Sequence, residues 1–206
     1  EVFSFGELPP PTRESLQEAE RLRAIDRFLE RHPEFAERFV FVEIGVPSRT
    51  QIPMYRRLNE ELDRLVRAIN WKHRTLTWKP IIFIKRAIPP TTLHAWYRLA
   101  RVAMVTSLHD GMNLVAKEFI ASRINGDGAL ILSKFTGAAR ELTEALLVNP
   151  YAVDETAEAL YQAVSMPPEE QQRRMQKLQA RVREHNIFRW AGSVVSALFA
   201  LEFQEA

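Results

Sequence analysis

Residues 106–119 read TSLHDGMNLVAKEF and follow directly on a short apolar run, VAMV, at 102–105. The run has the length and content of a buried strand. Asp110 and Gly111 then mark a tight turn, and Leu114, Val115, Phe119 and Ile120 recur at helical spacing. The stretch therefore predicts a strand, a turn and a helix N-terminus. Such a junction gathers unpaired backbone N–H groups and the positive end of a helix dipole, which favour an anion and above all a phosphate. Gly111 lets the backbone come close to a ligand, and Glu118, one turn into the helix, is in reach of ribose hydroxyls. A plainer reading stands beside this one: Asp110 or Asn113 simply caps the helix, as Asp and Asn before an apolar run commonly do.

Upstream, residues 39–46 (FVFVEIGV) form a nearly continuous apolar run of strand length, as expected of a strand covered on both faces. Tyr55, Leu58, Leu62, Leu65 and Ile69 follow at spacings of 3, 4, 3 and 4, which predicts an amphipathic helix too short for a coiled-coil seam. Residues 81–85 (IIFIK) read as a second strand, and Thr91 or Thr92 caps a short helix carrying Leu93, Trp96, Tyr97 and Leu99. Nearer the start, Ser15 and Glu18 resemble a capping box that opens a helix with Leu22, Ile25, Phe28 and Leu29 on one face. Residues 1–11, EVFSFGELPPP, have three consecutive prolines and no periodicity, so 1–19 read as an irregular or linker-like arm ahead of a domain at 20–206.

Downstream, NGDG at 125–128 turns the chain into ALILS at 129–133. A short helix near 138–142, a brief strand at 145–148 and helices over about 155–165, 169–184 and 190–203 complete the chain. Strands alternating with helices imply parallel pairing through right-handed crossovers. The fold class is α/β, a doubly wound, Rossmann-like parallel sheet with C-terminal helices. Ligands of such sheets bind at the carboxyl ends of the strands, so the loops VPSRT (46–50), RAIPP (86–90) and SLHDGMN (107–113) carry the candidate site.

Composition excludes other chemistries. Lys and Arg number 28 against 26 Asp and Glu, a formal charge of +2 with the signs interleaved, which is no nucleic-acid footprint. There is no cysteine, hence no disulfide framework and no thiolate nucleophile or metal ligand. The histidines at 32, 73, 94, 109 and 185 lack ligand spacing, so no metal is expected. Neither a nucleophile elbow nor a P-loop is present. The adjacent Glu60 and Glu61 lie on the polar side of a helical pattern, as solvated surface. With no apolar run near ~20 residues and no leader pattern, a cytoplasmic protein without membrane contacts is expected.

DGMNLVAKEF, residues 110–119, resembles the donor-binding signature of the trehalose-6-phosphate synthases, the retaining glycosyltransferases of family 20. The resemblance continues through VPSRT at 46–50, INWKHRTLTWKPI at 69–81 and ILSKFTGAARELTEALLVNPY at 131–151. It implies the C-terminal, nucleotide-sugar-binding domain of a two-domain glycosyltransferase B-type fold, and transfer of glucose from UDP-glucose to glucose 6-phosphate with retention and no metal or cofactor. Asp110 then positions the donor glucose. Gly111, Met112, Asn113, Leu114, Val115, Ala116, Lys117 and Glu118 bind the donor, with Glu118 on the ribose and Ile88 near the donor where some relatives have phenylalanine. Arg49 reaches the acceptor phosphate, a task for which a guanidinium fork suits a dianion.

The departures matter too. The family's arginine and lysine on the loop before the first helix have no counterpart in EVFSFGELPPPTRESLQEA at 1–19, and His109 stands where many relatives have arginine. No residues match the acceptor domain, so this half of the cleft is expected to bind donor but not to turn it over. Three alternatives follow: a stand-alone UDP-sugar-binding or regulatory module, working with a separate acceptor-domain chain or as a homo-oligomer; the donor half of a glucosylglycerol-phosphate synthase; or a remnant that binds nothing.

Overall fold

Alternating apolar runs and amphipathic stretches resolve into alternating strands and helices. The structure, a computed structural model, describes residues 2–5, 14–45 and 53–202. In chain order the elements are β1 (Val2–Phe5), α1 (Glu14–Arg31), β2 (Phe41–Ile44), α2 (Pro53–His73), β3 (Ile81–Ile84), α3 (Pro90–Leu99) and β4 (Val102–Val105). They continue with α4 (Leu114–Ser122), β5 (Ala129–Ser133), β6 (Leu146–Val148), α5 (Val153–Ser165), α6 (Pro168–Glu184) and α7 (Ile187–Glu202). Short 3-10 turns at Pro33–Phe35 and Gly137–Arg140 lie between them.

The strands form one six-stranded sheet in the order β3-β2-β1-β4-β5-β6, and every neighbouring pair is parallel. The order reverses between β1 and β4, the topological switch point where doubly wound sheets open a crevice at their carboxyl ends.

Successive strand side chains point to opposite faces. Phe41, Val102, Met104 and Ile131 accordingly pack with Phe28 of α1, Ile69 of α2 and Leu160 of α5. Their neighbours Val42, Ala103, Val105 and Leu130 pack on the other face with Tyr97 of α3, Phe119 of α4 and Met175 of α6. Two layers of helices thus cover the sheet, which is why β2, β4 and β5 read as unbroken apolar runs. Edge strand β3 is fastened by Asn70 of α2, whose amide donates to the Ile81 carbonyl and accepts from the Ile81 N–H, both at 2.9 Å. Buried Arg123 supplies the missing cap of α3: its Nη1 donates to the carbonyls of Tyr97, Arg98 and Ala100, satisfying groups that a helix end leaves open.

Three expectations need correction. The arm expected at 1–19 contains a strand at the centre of the sheet: Val2–Phe5 pairs with β2 on one side and β4 on the other. Four residues ahead of a proline-rich stretch carry no legible period, and only the neighbouring strands make them a strand. Helix α1 starts at Glu14, so a boundary at residue 20 would cut through it, and Ser15 lies within the helix rather than at its cap. Helix α3 is capped by neither Thr91 nor Thr92; Pro89 is its N-cap and Pro90 its first residue, with no side-chain cap bond. Proline needs none at that position, because its ring presets the helical φ and it has no N–H to satisfy. Among the described residues, no helix is long and apolar enough to cross a membrane.

Candidate functional site

The loop from β4 to α4 is built around two side chains. Asp110 accepts the Met112 N–H at Oδ1 (3.0 Å) and the Asn113 amide at Oδ2 (2.8 Å). Asn113 in turn accepts the Ala116 N–H at 2.9 Å and so caps α4. Its φ of 70° lies in the left-handed region that Asn tolerates better than most residues. Asn113 is therefore the cap, and the Asp110 carboxylate is held in one orientation by the two bonds it accepts. The N–H groups of Leu114 and Val115, in the first turn of α4, have no acceptor within the helix and lie at its positive end.

A second loop holds the first in place. The Gly137 N–H donates to the Asp110 carbonyl at 2.9 Å and the Ala138 N–H to the Met112 carbonyl at 3.1 Å, so the turn after β5 grips the turn after β4. A Cβ on Gly137 would lie 2.0 Å from the Gly111 carbonyl oxygen. At Gly111 a Cβ would meet no protein atom within 4 Å, and its φ is not positive. The fold requires glycine at 137, where a Cβ has no room, and not at 111.

The remaining candidates separate by what they touch. The exposed Glu118 carboxylate accepts the hydroxyl of fully buried Tyr97 at 2.9 Å. Burial, and then that bond, push the Tyr97 phenol far above its ordinary pKa, so it remains a donor that orients Glu118. Met112 and Leu114 are exposed, Val115 is half-buried and Ala116 is buried in the helix–sheet core. Ile88 is half-buried against the core cluster that contains Tyr97. Lys117 pairs with Glu141 at 2.8 Å, so its side chain braces α4 against the segment after the 3-10 turn at Gly137–Arg140. Arg49 lies outside the described residues.

Comparison with known proteins meets this geometry from the other side. The profile of glycosyltransferase family 20 matches residues 17–200. The chain belongs to glycosyltransferase family 20. It is 47% identical over 180 residues to the bifunctional trehalose-6-phosphate synthase/phosphatase of Thermoproteus tenax, a match covering 87% of this chain and 25% of that protein. It is 37% identical to the glucosylglycerol-phosphate synthase of Pseudomonas anguilliseptica, over 87% of this chain and 24% of that one. The crystal structure of an alpha,alpha-trehalose-phosphate synthase (UDP-forming) from Burkholderia vietnamiensis superposes with a TM-score of 0.89 at 38% identity, over 97% of this chain and 45% of that one. This family 20 chain thus spans between about a quarter and about half the length of these relatives.

At the switch point this family 20 domain also carries a polar cluster that the sequence reading missed. Buried Arg21 of α1 donates from Nη1 to Glu43 of β2 at 2.7 Å and from Nε to Thr106, just past β4, at 2.9 Å. Gln17 accepts the Leu108 N–H at 3.4 Å. Helix α1 is therefore hydrogen-bonded to the start of the Asp110 loop. Glu43 is buried, and among the described residues its Oε2 has no hydrogen-bond partner. Burial first, and the Glu43 carboxylate second, lift Glu18 to about 7 against the pull of Arg21 and Lys85. The signal was present in the sequence as the single charge inside FVFVEIGV. A buried charge in a strand needs a partner, and Arg21 supplies it.

Proposed function

We propose that this chain is the donor-binding half of a trehalose-6-phosphate synthase-like enzyme, holding UDP-glucose while glucose passes with retention to glucose 6-phosphate. The observation that carries the reading is the pairing of two fixed carboxylates across the α4 N-terminus. Asp110 stands before the helix, held by Met112 and Asn113, and Glu118 stands one turn inside it, held by Tyr97. Between them, the helix's open N–H groups suit the diphosphate. Asp110 takes hydroxyls of the glucose, Glu118 takes those of the ribose, and Arg49 is assigned to the acceptor phosphate.

In this reading the bond from the anomeric carbon to UDP breaks as the acceptor hydroxyl attacks from the same face, and the hydroxyl proton passes to the departing phosphate. The protein's part is to hold charge and geometry at the two ends of the donor. Turnover requires an acceptor domain, on the same polypeptide or on a partner chain. A second reading, glucosylglycerol-phosphate synthesis, draws on the relative in Pseudomonas anguilliseptica. It would share the donor motif and differ in the acceptor half.

Calorimetric titration with UDP-glucose tests the proposal. The expected result is saturable binding that weakens about 10- to 100-fold in Glu118→Ala, the loss of a charge-assisted pair of hydrogen bonds. Equal binding by wild type and variant, or none at millimolar ligand, would refute it.

A further inference from the structure

The loop between β4 and α4, residues 106–113, is closed by short-range bonds at its far end. Asp110 accepts from Met112 and Asn113, Asn113 accepts from Ala116, and the turn at 137–138 donates to the carbonyls of Asp110 and Met112. The near end, Thr106 to Leu108, is tied instead to α1. Arg21 Nε donates to the Thr106 hydroxyl oxygen at 2.9 Å, and the Leu108 N–H donates to Gln17 Oε1 at 3.4 Å. Gln17 and Arg21 stand four residues apart, on one face of the helix.

These two ties are unequal. The Gln17 bond is long and joins neutral groups, whereas the Arg21 bond is short, buried and charge-assisted, a class roughly twice as strong as neutral pairs. Arg21 therefore carries the tie. Its aim is set by Glu43 of β2, whose Oε1 accepts from Nη1 at 2.7 Å. A guanidinium is a rigid planar fork, so seating one nitrogen on Glu43 fixes the direction of the other. Arg21, Glu43 and Thr106 are all buried, where such bonds gain strength from the low dielectric. The position of an inner strand, β2, is thus passed through one side chain to the start of the loop.

We propose that Arg21 is a positioning residue of the donor site: aimed by Glu43, it holds Thr106 so that Asp110, four residues further on, stays in place for the glucose. The identity of that ligand rests on the donor reading above, whereas the anchor rests on the hydrogen bonds alone. Side chains that bind a ligand keep their geometry only when neighbouring bonds lock them, and here the lock on the near end of the loop is a residue of another helix. Arg21→Lys keeps the charge opposite Glu43, but an ammonium is no fork and cannot aim a second donor. Thr106→Val leaves both partners of the Arg21–Glu43 pair in place and removes only the acceptor, which Thr106→Ser retains.

Amide hydrogen exchange followed by NMR tests the anchor in the full chain without ligand. The reporters are the Gly137 and Ala138 N–H groups, whose acceptors are the Asp110 and Met112 carbonyls, and the references are Met104 and Ile131 within the sheet. In Arg21→Lys and in Thr106→Val, exchange at the reporters should quicken about tenfold or more, the loss of one charge-assisted bond, with the references unchanged. Thr106→Ser should exchange as wild type does. The advantage of UDP-glucose over UDP, measured by calorimetry, should shrink about threefold or more in the first two variants and recover in Thr106→Ser. Unchanged exchange at the reporters, a rise shared with the references, or a wild-type advantage of UDP-glucose alongside faster exchange would each overturn the inference. Faster exchange confined to the reporters, in a wild-type chain that binds no UDP-glucose, would instead sink the donor reading and leave the anchor standing.

Discussion

Glu18 keeps a proton in the folded chain that it would release on unfolding. Burial and the Glu43 carboxylate raise it from 4.5 to about 7. The folded state therefore binds more protons than the unfolded one between those values, and stability falls as pH rises through that window. Glu18→Gln should match wild type near pH 4 and exceed it at pH 8 by on the order of 1–3 kcal/mol, read from urea midpoints at the two pH values. A variant no more stable than wild type at pH 8 would mean that Glu18 is solvated. At this scale the sequence was legible where the contacts are contiguous: Asn113 caps α4 and bonds to Asp110 within one turn, as the capping reading of their spacing implied. Arg21 with Thr106, 85 residues apart, became visible only once α1 crossed the switch point.

The junction of the turns after β4 and β5 is the element on which the proposed donor site depends. Gly137 has no room for a side chain, because a Cβ there would overlap the Gly111 carbonyl oxygen. Gly137→Ala should destabilise the chain by about 1–3 kcal/mol, as forced overpacking does. It should also weaken UDP-glucose binding by displacing Asp110, whose carbonyl accepts the Gly137 N–H. Chemical denaturation and calorimetry on one preparation check both effects; unaltered binding would show that the grip of the second turn is dispensable. Neither this contact nor strand β1 was legible in advance. Residues 138–142 read as an ordinary short helix, and VFSF at 2–5 lacks the length to show a period. Long apolar runs such as those of β2 and β4 were legible because burial on both faces leaves no other composition.

Over the whole molecule, the parallel pairing of the strands followed from the α/β pattern, but the strand order and the exposure of α7 did not. Phe188, Trp190, Leu198 and Phe199 of that helix are each more than half exposed, Phe188 at 82%. An apolar face of that kind on a chain spanning 45% of a solved relative predicts concentration-dependent association in sedimentation velocity. Replacing Phe188 and Phe199 with Ser should abolish it while leaving helix content unchanged, and a monodisperse wild-type monomer at high concentration would count against the prediction. The central claim is that one junction holds both ends of a nucleotide sugar, with Asp110 on the glucose and Glu118 on the ribose. Its most direct measurement is the ratio of UDP-glucose to UDP affinity in wild type, Asp110→Ala and Glu118→Ala. The account predicts that Asp110→Ala removes the advantage of UDP-glucose over UDP while leaving UDP itself intact, and that Glu118→Ala weakens both ligands by the same factor. An Asp110→Ala variant that still prefers UDP-glucose as strongly as wild type would contradict it.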